Sequence, residues 1–145
     1  MTIAWDTGPP EADGRVPLFA QSVNVYYTLG LNVAVSSDYT EQSCPYRVTL
    51  AHENSHAEAF VRIFRESREI LVRRLESVDV PTRARPALVT SNEVAIRQEA
   101  IGERLKQVII GYARELVSAV EADRNAKDAP AAYQAEYARC PASEW

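Results

Sequence analysis

Cysteine and histidine are scarce in this chain, two of each among 145 residues, and methionine appears once. With only Cys44 and Cys140, there is no second cysteine pair to build a cysteine-ligated metal site and no C-x-x-C for redox exchange. No apolar run approaches the roughly 20 residues needed to cross a bilayer, so no membrane span is expected. The opening residues, Met1-Thr2-Ile3-Ala4-Trp5-Asp6, lack a charged start followed by an apolar stretch. No signal peptide is therefore visible, and an exported protein would have lost its leader. Positive charge is also short: the net charge is -4 and the pI about 5.2. A nucleic-acid partner is not expected, because nothing resembles a continuous basic surface. Arg62, Arg65, Arg68, Arg73 and Arg74 do cluster. Glu58, Glu66, Glu69 and Glu76 alternate with them at helical spacing, which describes a solvated, ion-paired face.

What is present fits one globular domain with its own core, at 46% hydrophobic and 25% charged residues. Residues 1–20, with Gly8-Pro9-Pro10, Asp13-Gly14 and Pro17, carry no period and read as an irregular arm. From 23 to 35 every odd position is apolar: Val23, Val25, Tyr27, Leu29, Leu31, Val33 and Val35. That alternation predicts a strand region over 22–36, either one long strand or two joined near Gly30. Pro45 suits a first helical position, and a helix is expected over 45–76. Pro81 and Pro86 mark the following loop, and Asn92 is a plausible cap for a second helix over 92–128. A tail, 131–145, carries Tyr133, Tyr137, Cys140 and Trp145 and is too aromatic for a disordered end. The expected fold class is α+β, a small domain in which a short antiparallel sheet or hairpin packs on a long antiparallel two-helix hairpin.

The most specific feature is His52-Glu53-Asn54-Ser55-His56, which reads H-E-x-x-H and uses both histidines of the chain. On a helix, residues four apart share one face about 6 Å apart along the axis, so two imidazoles can grip one zinc ion. Glu53 is rotated by about 100° from His52 and can hold a water at that metal. The inward stripe of the helix runs Val48, His52, His56, Phe60, Ile63, Ser67 and Ile70. Both histidines thus stand where apolar residues would, and buried imidazoles need partners.

A catalytic zinc takes three protein ligands, and with no further histidine the third is a carboxylate or water. Glu136, Glu93 and Glu103 compete for the place. A Cys44–Cys140 disulfide, the preferred reading over two buried thiols, would pin the tail to the start of the motif helix and bring Glu136 within reach of the metal. In a hairpin turning near residue 81, His56 would face about residue 106. Such a register leaves Glu93 far along the axis and Glu103 on the side away from Ile101 and Leu105.

The segment Tyr46 to Phe60 containing this motif, preceded by a strand and followed by an arginine-rich helix, resembles the small predicted secreted zinc-dependent proteases of bacteria. The resemblance implies a zincin-like peptidase. It matches Tyr133, Glu136 and Trp145 to a tyrosine, an acidic residue and a closing tryptophan after the last helix. Gln134 stands where that pattern has an aspartate, and Ala138-Arg139 where it has His-Gly.

These features together predict a zinc metallopeptidase in which Glu53 is the general base for a metal-bound water. His52, His56 and Glu136 would be the ligands, and Tyr133 or Tyr137 a donor to the oxyanion. A peptide or protein is the expected substrate, pairing with the edge of the strand region. The alternative is a non-catalytic metal-binding or protein-interaction module with a vestigial motif. A secreted or periplasmic location is expected, with the cytoplasm as the alternative.

Overall fold

A computed structural model describes all of residues 1–145, in the order β1 (Thr2–Thr7), β2 (Val16–Asn24), α1 (Cys44–Glu76), β3 (Ala87–Val89), α2 (Val94–Lys127) and α3 (Pro130–Tyr137), with a closing 3-10 turn at Ala142–Glu144. The fold class is α+β: three helices and a small antiparallel sheet. The chain divides into two compact units, Met1–Thr28 with Glu69–Ala113, and Leu29–Arg68 with Arg114–Trp145. Two of the three boundaries fall inside α1 and α2, so each long helix contributes a segment to each unit.

The first unit contains the sheet, ordered β1-β2-β3. β1 runs antiparallel to β2 from Thr2 opposite Asn24 to Thr7 opposite Leu18, with the register shifting between Ala4 and Trp5. β3 pairs with the start of β2, Val16 opposite Val89 and Leu18 opposite Ala87. Gly14 closes the connection between β1 and β2 at φ 80°, where a side chain would be strained. Gly8 N–H donates to Pro17 O at 2.8 Å. Val16, Leu18 and Val89 form the sheet's buried cluster, with Trp5, Ala87 and Val94 packed on it. Leu71, Ile101, Leu105 and Tyr112 are also buried.

Two expectations need correction here. The supposed irregular arm over 1–20 supplies both strands of the hairpin, and the strand region over 22–36 is strand only to Asn24. Ile3 and Trp5 are half-buried in β1 while Thr2 and Ala4 are exposed, a short alternation that the reading of an irregular arm overlooks. Residues 25–36 run as irregular chain. Period-two apolarity permits a strand, but a strand also needs a neighbour for its N–H and C=O groups, and the register with β1 ends at Asn24. Past that point Leu29, Leu31 and Val33 are 36–40% exposed, so the alternation does not bury one face.

The second unit holds the first part of α1, the end of α2, and α3. Ser43 Oγ accepts from Tyr46 N–H at 3.2 Å at the start of α1, and Pro45 beside it is fully buried. The helix segments run antiparallel: Arg62 pairs with Asp123 at 3.5 Å, and Lys127 Nζ donates to Ser55 O at 2.6 Å. Cys44 and Cys140 form a disulfide, Cα atoms 5.7 Å apart, tying the segment after α3 to the first residue of α1.

Candidate metal centre

The centre lies wholly within the second unit. The 3.6-residue period of α1 places His52 and His56 on one buried face, 6% and 9% exposed, with their Nε2 atoms 2.9 Å apart. Asp128 follows the last residue of α2, and the antiparallel register sets it beside them. Its Oδ1 lies 3.0 Å from His56 Nε2 and 3.1 Å from His52 Nε2. One nitrogen or oxygen from each of the three thus forms a nearly equilateral triangle. On the opposite edge of the His52 ring, Nδ1 meets the Glu136 carboxylate at 3.0 Å.

Proton accounting defines the character of this triangle. A carboxylate on Nδ1 fixes His52 as the Nδ1–H tautomer when neutral, which turns a lone pair at Nε2 toward Asp128. Asp128 Oδ1 is an acceptor too, so two electron-rich atoms face each other at 3.1 Å. His56 Nδ1 is buried without a hydrogen-bond partner, leaving Nε2 as the atom through which His56 meets the cluster. A proton relieves part of this conflict and a cation relieves all of it. Tetrahedral zinc, with bonds of about 2.0–2.1 Å, holds its ligand atoms roughly 3.3 Å apart; the observed edges of 2.9–3.1 Å lie just inside that spacing. His52, His56 and Asp128 are therefore a donor set that fits a metal ion.

The electrostatics agree. Burial works against charging His52, but the Glu136 hydrogen bond and charge, then Asp128 and Glu53, outweigh it and raise the imidazole above its ordinary value of 6.5. Tyr133 lies over His52, ring centroids 5.2 Å apart. Burial, followed by the negative charges of Asp128, Glu53 and Glu136, pushes its phenol above 10.0, so it keeps its proton and can donate.

Two cavities meet at Glu53 and Tyr133. One, of about 290 Å³, is lined by His56, Asp128, Glu53, Tyr133 and Arg124, with Leu31, Val33 and Phe60 as its apolar wall. The other, of about 100 Å³, is lined by Tyr39, Val48, Thr49, His52, Glu53, Tyr133, Glu136, Tyr137 and Trp145. The irregular chain after β2 therefore contributes to the larger cavity as a wall.

The structure brings together five of the residues singled out from the sequence: His52, Glu53, His56, Tyr133 and Glu136. Glu136 occupies a different place from the one expected. Its carboxylate holds the outer nitrogen of His52, while Asp128 joins the triangle of donor atoms. Glu93 is committed to the start of α2, accepting from Thr90 N–H at 2.9 Å and Thr90 Oγ at 2.8 Å. Glu103 pairs with Lys106 at 3.2 Å. Tyr137 meets Trp145 edge-on, with ring centroids 4.2 Å apart. Asp128 was missed because a turn near residue 81 sets the wrong register. The 77–93 connection instead makes its own excursion, with Thr82 bridging Arg85 and β3 joining the sheet. One signal was available: an aspartate at a helix C-terminus sits against the negative end of the dipole and calls for a compensating partner.

Searches against protein-family models, curated proteins and solved structures find no significant match for this chain.

Proposed function

We propose that this protein is a zinc-dependent peptidase. The observation that carries the reading is the convergence of His52 Nε2, His56 Nε2 and Asp128 Oδ1 within 3.1 Å of one another, beside a cavity that Glu53 also lines. Two imidazoles and one carboxylate make a three-ligand set, the composition that leaves a coordination position for water or substrate. Zinc held there would polarise a carbonyl and acidify water. Glu136 orients His52 through Nδ1, the carboxylate–histidine arrangement that fixes a metal-binding tautomer. Glu53, free of any part in the triangle, takes the proton of the attacking water and returns it to the leaving amine. Tyr133, kept protonated by its surroundings, donates to the oxygen that gains charge. Leu31, Val33 and Phe60 give the neighbouring side chain of a peptide an apolar wall.

The triangle also joins α1 to the end of α2, and that observation supports a second reading in which the metal is a structural clasp. Glu53→Gln separates the two. For a peptidase, the variant binds zinc at the wild-type stoichiometry while cleavage of a peptide library falls about 10²- to 10⁴-fold. Unchanged cleavage by Glu53→Gln removes the general base from this account. A zinc-loaded wild type that cleaves nothing favours the clasp.

A further inference from the structure

The smaller cavity has a chemistry of its own. Tyr39, Tyr133, Tyr137 and Trp145 supply four aromatic walls, and Glu53 and Glu136 supply two carboxylates. Trp145 is the corner of the box: its ring meets Tyr137 at 4.2 Å and 61°, and Tyr39 at 6.0 Å and 84°. Its indole N–H is committed to Tyr137 O at 3.0 Å, which fixes the plane of the ring. Tyr133 continues the wall beyond Tyr137, at 6.4 Å.

We infer that this cavity is a binding site for an alkylammonium group. Aromatic faces carry negative quadrupole potential and attract a cation placed among them, most strongly when it is desolvated. Glu53 reinforces the same sign; Glu136 is already engaged by His52 Nδ1 at 3.0 Å, so that lining pair largely cancels, and no lysine or arginine lines the cavity. At about 100 Å³ this is the smaller of the two cavities that meet at Glu53 and Tyr133. Because Glu53 and Tyr133 also line the larger cavity, an ammonium seated here lies next to the reacting position. As a statement about substrate, a basic or N-methylated side chain beside the bond to be cleaved, the inference rests on the peptidase reading. The binding itself does not.

The test is a titration of the full chain, metal-free and zinc-loaded, with choline, n-butylammonium and the neutral choline isostere 3,3-dimethyl-1-butanol at matched ionic strength. The Trp145 indole N–H resonance is followed by NMR, with that of Trp5 as internal control. Saturable movement of the Trp145 signal is expected, with at least about tenfold preference for a cation over the isostere. Tyr39→Ala and Tyr137→Ala should each weaken it about 5- to 30-fold without shifting the Trp5 signal. Tighter choline binding identifies a methylated ammonium as the ligand, and tighter butylammonium binding a lysine side chain. Equal affinity for choline and its isostere, no saturation with either cation, or unchanged affinity in both tyrosine variants overturns the site. Each of those results leaves peptide cleavage by wild type and its loss in Glu53→Gln untouched, so the two proposals fail separately.

Discussion

Asp128 Oδ1 lies 3.0 Å from His56 Nε2 although 72 residues separate the two in sequence. One end of that contact belongs to the H-E-x-x-H motif and the other to the exit from α2, so the donor set that could hold a metal depends on the register of two long helix segments. A first prediction follows from the two carboxylates at His52. Asp128→Ala should weaken zinc binding by more than about 100-fold, and Glu136→Gln by about 10- to 100-fold, the effect of losing a partner that only orients a ligand. Competition with a chromogenic chelator measures both. The reverse order would return Glu136 to the donor set.

Proton binding at His52 gives the pH dependence. Burial opposes the charged imidazole, but Glu136, Asp128 and Glu53 prevail, so the folded pKa lies above the ordinary 6.5. In the metal-free protein this contribution to stability is complete below about pH 6.5 and is lost as pH rises through the raised folded value. The melting temperature of metal-free wild type should therefore drop across that window relative to His52→Ala. Zinc reverses the sign, because binding displaces the proton, and stabilisation by the metal should grow as pH rises. A zinc-induced melting shift independent of pH from 5.5 to 8 would contradict this.

Reducing the disulfide tests how the tail is held. Cys44 and Cys140 are 96 residues apart in sequence, and opening such a link typically costs a small domain about 2–5 kcal/mol. Denaturant unfolding with and without reductant measures the loss. Zinc affinity should fall too, since α3 carries Glu136 to His52; equal affinity in both redox states would show that α3 stays in place without the link.

Leu18 is fully buried in the sheet cluster of the first unit. Leu18→Ala should destabilise the protein by about 2–5 kcal/mol, the transfer term plus the cavity left behind. Urea melts of wild type and variant give the difference, and a change below 1 kcal/mol would mean that the cluster closes over the gap.

The sequence by itself determined the two long helices and the pairing of histidines on one face, because both depend on local periodicity. Predicted spans of 45–76 and 92–128 stand against observed Cys44–Glu76 and Val94–Lys127. The helical period obliges residues four apart to share a face whatever else the chain does. The disulfide was also legible, since two cysteines allow one intramolecular pairing. Tertiary structure alone decided the rest. Whether residues 25–36 formed a strand depended on a partner for their backbone, and β1 takes only Ser22 to Asn24 and Leu18 to Ala20 of its neighbour. Which carboxylate faced the histidines depended on the register of the two helix segments, and that register sets Asp128, not residue 106, beside His56. Local pattern fixes the direction in which a side chain leaves its own element; the group it meets there is set by contacts between segments far apart in the chain.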